Sequence, residues 1–221
     1  MFFVVKYIKE RRYAMENKII ITIARQYGSG GREIGELIAK ALNIPLYDRQ
    51  LITEAASKGN LNEEVIRKAD ESSANSLLYT LAMGSNTLGA AMHFGYNMPL
   101  NDKLFLLQSE VIKDFAAKGS GVFIGRCADY VLREEKNILR IFIYGDLEHR
   151  KERVLQRHPE LKSSQVIDAI SKTDKRRSTY YNFYTGNKWG KFDNYDLAIN
   201  SSTMGIDGIV KLVCDVAKNK I

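Results

Sequence analysis

Residues Lys18 to Leu42 run from a β-branched apolar segment (IIITIA) through a glycine-rich turn (RQYGSGGR) into an amphipathic stretch, and few folds accommodate that order. A short buried strand that ends at glycines and feeds a helix is the opening unit of a parallel α/β sheet. The spacing predicts the helix, because Ile34, Leu37, Ile38, Ala41 and Leu42 recur at i, i+3, i+4, i+7 and i+8 and form one stripe. Between strand and helix, Gly28, Gly30 and Gly31 let successive backbone N–H groups point into one concavity beside the positive end of the helix. Such a turn holds phosphate by backbone alone.

The common phosphate-loop motif, G-x-x-x-x-G-K-[ST], is not met in either register. With Gly30 as the last glycine, Arg25 takes the first-glycine slot, Gly31 the lysine slot and Arg32 the slot of the metal-binding hydroxyl. With Gly31 as the last glycine, Arg32 stands where the lysine should be and Glu33 where the hydroxyl should be. Charge placement favours the second register, with Arg32 as a planar cation near the β and γ phosphates. Neither register supplies the hydroxyl. A dinucleotide fold competes, since Asp48 follows Gly28 by 20 residues at the end of a second short strand (IPLYD). Glu33, at the third glycine of that fingerprint, argues against it. A tight strand-to-helix turn without a ligand is the third reading.

The chain has 221 residues, 45% of them hydrophobic and 27% charged, enough for one substantial core. The N-terminal FFVV run is followed by Lys6, Lys9, Arg11 and Arg12 and lacks the apolar core of a signal peptide, which leads to the expectation of a cytoplasmic protein without a membrane span. Cys127 and Cys214 are too few for a disulfide framework or a zinc site. Net charge is +7, of which residues 1–18 carry +3 (five basic, two acidic) and residues 147–177 carry +4 (nine basic, five acidic). The first cluster reads as a leader, with Met15 an alternative start. The second is where a polyanion would be met. No helix-turn-helix, zinc-finger or RNA-binding signature accompanies it, so nucleic acid is not the expected partner.

Further strands are expected at GVFIG (121–125), NILRIFIYG (137–145) and NYDLAIN (194–200). Helical stripes are expected at Val65, Ile66, Ala69, Leu77, Leu78 and Leu81, at Leu104, Leu107, Val111, Ile112 and Phe115, and at Ile206, Ile209, Val210, Val213 and Val216, with a glycine-rich loop over 84–100. Alternating strands and helices imply one α/β domain with a parallel sheet covered on both faces, whose ligands bind beyond the carboxyl ends of the strands. Those ends deliver the glycine loop, Asp48 and Arg49, then Arg126 and Asp129, then the basic helix with Arg150 and Arg153, followed by Lys172, Lys175, Arg176 and Arg177. Arg126 is placed to grip a phosphate, with Asp129 orienting it. The aromatic group Tyr180, Tyr181, Phe183, Tyr184 and Trp189 offers either a base-stacking surface or plain packing. His93, His149 and His158 show no metal or triad spacing.

The segments IITIARQYGSGGREIGELIAKAL, YDRQLI, GVFIGRCADYVL, TDKRRSTYYNFYTG and NYDLAINSS together resemble the cytidylate kinase-like family, a branch of the nucleoside monophosphate kinases, over nearly everything from Lys18 onward. The resemblance implies a three-layer α/β/α phosphate-loop fold over residues 18–221 with a five-stranded parallel sheet. Residues 62–118 would form the helical acceptor-binding insertion and residues 147–190 a basic lid. It implies ATP and magnesium, transfer to a nucleoside monophosphate such as CMP or dCMP, and a monomer or homodimer. The donor would be seated by Arg25, Gly28, Ser29, Gly30 and Gly31, the acceptor by Asp48, Arg49, Arg126 and Asp129, and the transferring group neutralised by Arg32, Arg150, Arg153, Arg176 and Arg177. The chain departs from the kinases proper in having no loop lysine or hydroxyl, and in carrying Asp48-Arg49-Gln50 where they carry Asp-[ST]-Gly. A nucleotide-binding regulator that has lost transfer, or a kinase for another small metabolite, is the alternative.

Overall fold

The computed structural model describes residues 18–48, 50–59 and 99–220. Arg49, the expected stripe from Val65 to Leu81, nearly all of the expected 84–100 loop and the N-terminal 17 residues lie outside them.

Five strands, β1 (Ile20–Arg25), β2 (Leu46–Tyr47), β3 (Gly121–Ile124), β4 (Ile138–Tyr144) and β5 (Leu197–Asn200), form one sheet in the order β2-β3-β1-β4-β5. Every pairing is parallel. Seven α-helices connect or follow them among the described residues: α1 (Gly31–Leu42), α2 (Gln50–Gly59), α3 (Leu100–Lys118), α4 (Ala128–Val131), α5 (Leu147–Arg157), α6 (Ser163–Thr185) and α7 (Ser201–Asn219).

Strand β1 is central, and its side chains divide by the two-residue period of a strand. Ile21 and Ile23 enter one core with Ile34 and Ile38 of α1 and Ile209 and Val213 of α7. Ile20 enters the other, with Leu51 of α2, Val111 and Ile112 of α3, and Phe123. Those isoleucines of β1 are fully buried. Each is worth about 1.5–3 kcal/mol relative to an exposed side chain, so the strand that carries the glycine loop is firmly held.

The stripe expected on α1 is rotated. Leu37 is exposed, and the buried face is Ile34, Gly35, Ile38 and Ala39. A Cβ on Gly35 would lie 2.6 Å from Ile124 Cδ1, so the helix turns its small residues toward the sheet to approach it closely. Strand β2 is shorter than expected, pairing with β3 only through Leu46 and Tyr47. Helix α7 carries a break at Gly205, whose φ is 72°.

Candidate active site

The loop between β1 and α1 bends at Gly28 (φ 81°) and Gly30 (φ 83°), values that only glycine adopts without strain. A side chain at Gly28 would also collide with the Arg150 carbonyl, 2.7 Å away. Helix α1 begins at Gly31 with Gly30 as its N-cap, and no side chain caps it. Its first-turn N–H groups therefore face the loop without an intrahelical acceptor. The Ser29 hydroxyl, fully buried, shares its one proton between Gln26 O at 2.9 Å and Ile143 O at 3.2 Å, which ties the loop to β4.

Arginines expected over this loop are distributed differently. Arg32 Nε lies 3.1 Å from Asp48 and 3.2 Å from Glu36, so its charge is directed at the end of β2. Arg150 Nη1 donates to Asp174 at 2.6 Å and to Tyr27 O at 3.3 Å. Arg153 and Arg157 each donate to Glu33 at 2.7 Å. Of the two α5 arginines singled out from the sequence, Arg150 thus braces α5 against the loop and Arg153 braces it against α1.

A different set converges beyond the carboxyl ends of β1 and β3. Arg25, Arg126, Arg176 and Arg177 line a cavity of about 190 Å³ together with Asp129, Tyr180, Tyr181 and Trp189. Gly125, Arg126 and Cys127 all have positive φ, at 69°, 56° and 55°. Two successive non-glycine residues in that region are costly, and backbone strain of this kind concentrates where a side chain must be aimed. Here the bend presents Arg126 to the cavity. Burial pushes the pKa of Arg25 well down, and the charges of Arg177, Arg126 and Arg32 add to that while Asp48 opposes it. Burial lowers those of Arg126 and Arg177 too. Arg177 Nη1 donates to Arg25 O at 2.8 Å, which fixes α6 against the end of β1. Several cations crowded into a partly desolvated space favour an anion among them.

Asp129 sits in the cavity wall and accepts the Tyr181 hydroxyl at 2.7 Å. Burial raises its pKa against that hydrogen bond. A carboxyl whose folded pKa is raised contributes its full stability below the unfolded value of about 3.9 and loses it as pH rises through the folded value. Asp129→Asn is therefore expected to gain stability relative to the native chain as pH rises from about 4 toward neutrality. Urea melts over that range check this, and a pH-independent difference would refute it.

Most of the aromatic group is packing. Tyr184 stacks on Phe105 with centroids 4.2 Å apart and donates to Asp102, and Trp189 meets Phe142 edge-on. Tyr180, Tyr181 and Trp189 still give the cavity one aromatic wall. Asp174 escaped the sequence reading, as an acid inside a basic run looks like a solvated ion pair. Its partners, Arg150 and the Tyr27 N–H, lie 24 and 147 residues away in sequence, so no local spacing marks it.

The protein oxygens nearest the loop are engaged by other groups, so a magnesium ion there would be held chiefly by the nucleotide's phosphates. Ser29 is committed to backbone carbonyls, Asp48 is paired with Arg32 and Asp174 with Arg150. No group of three metal-ligating side chains occurs among the described residues. No described helix is long and apolar enough to cross a membrane.

A central parallel sheet in this order, a glycine turn opening the first helix, and a cationic cavity at the strand ends together define a phosphate-loop kinase fold, which supports phosphoryl transfer as the class of chemistry. The chain belongs to the cytidylate kinase-like family, which it matches over residues 20–203. It is similar to a solved uncharacterized protein from Eubacterium ventriosum ATCC 27560, with a TM-score of 0.67 and 26% identity over 90% of this chain and 98% of that one. A gluconokinase from Sinorhizobium meliloti 1021 shares the fold, with a TM-score of 0.51 and 16% identity over 91% of this chain and 93% of that one. A protein named uronate isomerase from Corynebacterium glutamicum is 30% identical over 150 residues, 68% of this chain. The chain spans only 28% of that relative's length.

Proposed function

We propose that this protein transfers the γ-phosphoryl group of ATP to a nucleoside monophosphate, with CMP or dCMP the first acceptors to test. A phosphate oxygen of the acceptor forms the new bond to the γ-phosphorus, the bond to the β-γ bridging oxygen breaks, and ADP leaves with a nucleoside diphosphate as the second product. The observation that carries this reading is the convergence of Arg25, Arg126, Arg176 and Arg177 on one cavity at the strand ends. Phosphoryl transfer needs positioning and neutralisation of charge rather than a covalent catalyst, and planar guanidinium forks match phosphate oxygens. The cavity is smaller than the roughly 300–1,000 Å³ of whole-ligand clefts, which suits the phosphate end of an acceptor. Family membership supports the same reading.

Incubation of the purified protein with ATP, supplied with magnesium, and each nucleoside monophosphate, followed by chromatography, tests it. A nucleoside diphosphate formed from CMP or dCMP supports the proposal. ADP release with a different small metabolite would move the acceptor elsewhere, and ATP binding without any product would identify a regulator that has lost transfer.

A further inference from the structure

The loop has no lysine, yet the glycine that starts α1 and the glycine that follows β3 both lie against one arginine. Arg25 stands at the end of β1, six residues before Gly31. A Cβ on Gly31 would lie 2.5 Å from Arg25 Cβ and 3.0 Å from Arg25 Cγ, so any side chain at the first position of α1 is excluded by the stem of Arg25. At the far end of that stem, a Cβ on Gly125 would overlap Arg25 Nη1. The side chain thus passes from β1 across the start of α1 and over the bend after β3, into the cavity with Arg126 and Arg177. No hydrogen bond or ion pair to its guanidinium occurs among the described residues. Burial takes its charge out of water, and Arg177, Arg126 and Arg32 repel it while Asp48 attracts it.

Resting on the phosphoryl-transfer reading above, we propose that Arg25 is the loop's phosphate-binding cation, exchanged with Gly31 across the loop. In the common motif a glycine opens the loop and a lysine starts the helix. Here the arginine opens the loop and a glycine starts the helix. The exchange conserves one cation and one glycine, but it delivers the charge from β1, on the side of β3, and as a planar fork instead of a point charge. Arg25 therefore holds the phosphate chain where it meets the Arg126 side of the cavity; Gly31 is small because the Arg25 stem needs its notch, and Gly125, which its φ of 69° already favours as glycine, leaves room for the guanidinium. A cation held for a ligand destabilises the empty protein, whereas a cation that braces the fold stabilises it.

The test compares the native chain with Arg25→Met, which keeps much of the stem and removes the charge, using inorganic tripolyphosphate as the probe in thermal melts and calorimetry. The empty Arg25→Met protein is expected to melt about 2–4 °C higher than the native chain, and to bind tripolyphosphate at least about 30-fold more weakly. A second variant, Arg25→Gly with Gly31→Lys, restores the common arrangement and is expected to recover binding to within about 10-fold of the native chain, while Gly31→Lys alone is expected to melt lower because its Cβ meets the Arg25 stem. Equal binding by Arg25→Met and the native chain, or a lower melting temperature for the empty variant, would overturn this assignment and leave the phosphoryl-transfer reading standing. A native chain that binds neither tripolyphosphate nor ATP would sink both.

Discussion

Arg126→Met is expected to lower nucleoside diphosphate formation by about 10²–10³-fold, whereas Arg153→Met leaves it within about threefold. Both substitutions remove one positive charge from the basic side of the sheet, and from the sequence either could serve. Their surroundings separate them. Arg126 lines the cavity on a bend with three successive positive φ values, and its charge is partly desolvated. A guanidinium in that position makes charge-assisted hydrogen bonds to an anion at a strength of about 1.5–3 kcal/mol each, and two such bonds account for the expected loss. Arg153 donates to Glu33, which also accepts from Arg157 at the same distance. The Arg153 guanidinium lies beside Gly30 of the loop, but its charge is engaged by Glu33, which keeps Arg157 when Arg153 is removed. Steady-state rates with the best acceptor, alongside thermal melts to establish folding, check the pair. Equal losses in the two variants would show that a general positive field, not the built cavity, is responsible.

That contrast also marks where the sequence stops being readable. Strands β1, β3 and β4 were legible because β-branched runs bounded by glycines have few other uses, and a parallel sheet followed from their alternation with helices. The glycine turn was legible for the same reason. The α1 stripe was not placed correctly, because a hydrophobicity pattern favours Leu37, while close helix-to-sheet approach at Ile124 selects Gly35 and Ala39. Among the arginines, residue type and strand-end position pointed to a cationic site, but the directions of Arg150 and Arg153 depend on acids distant in sequence. Glu33 reaches Arg153 across 120 residues, and Asp174 reaches Arg150 across 24. Arg25 was visible as a departure from the motif, and only the notches at Gly31 and Gly125 reveal what that departure accommodates.

Asp174→Ala is expected to destabilise the protein by about 3 kcal/mol, the low end for breaking a buried ion pair, and to lower its melting temperature by about 6–12 °C. Asp174 Oδ1 accepts the Tyr27 N–H at 2.7 Å and Oδ2 accepts Arg150 Nη1 at 2.6 Å. Arg150 in turn donates to Tyr27 O, and its carbonyl fills the space beside Gly28 where a side chain would be. One carboxylate therefore joins α5, α6 and the glycine loop. The pair is well shielded, with side-chain exposures of 10% and 17%, and Arg150 Nε is buried without a partner already. Loss of Asp174 would strand a guanidinium and a loop amide together, a far larger penalty than the roughly 0–1 kcal/mol of an exposed pair. Adding Arg150→Met to Asp174→Ala should recover much of the loss, because the stranded charge is then gone. Urea melts of the two single variants and the double variant measure that coupling directly. If Asp174→Ala costs under about 1 kcal/mol, or if the second substitution only adds to the damage, the carboxylate is not the joint that holds the loop in place.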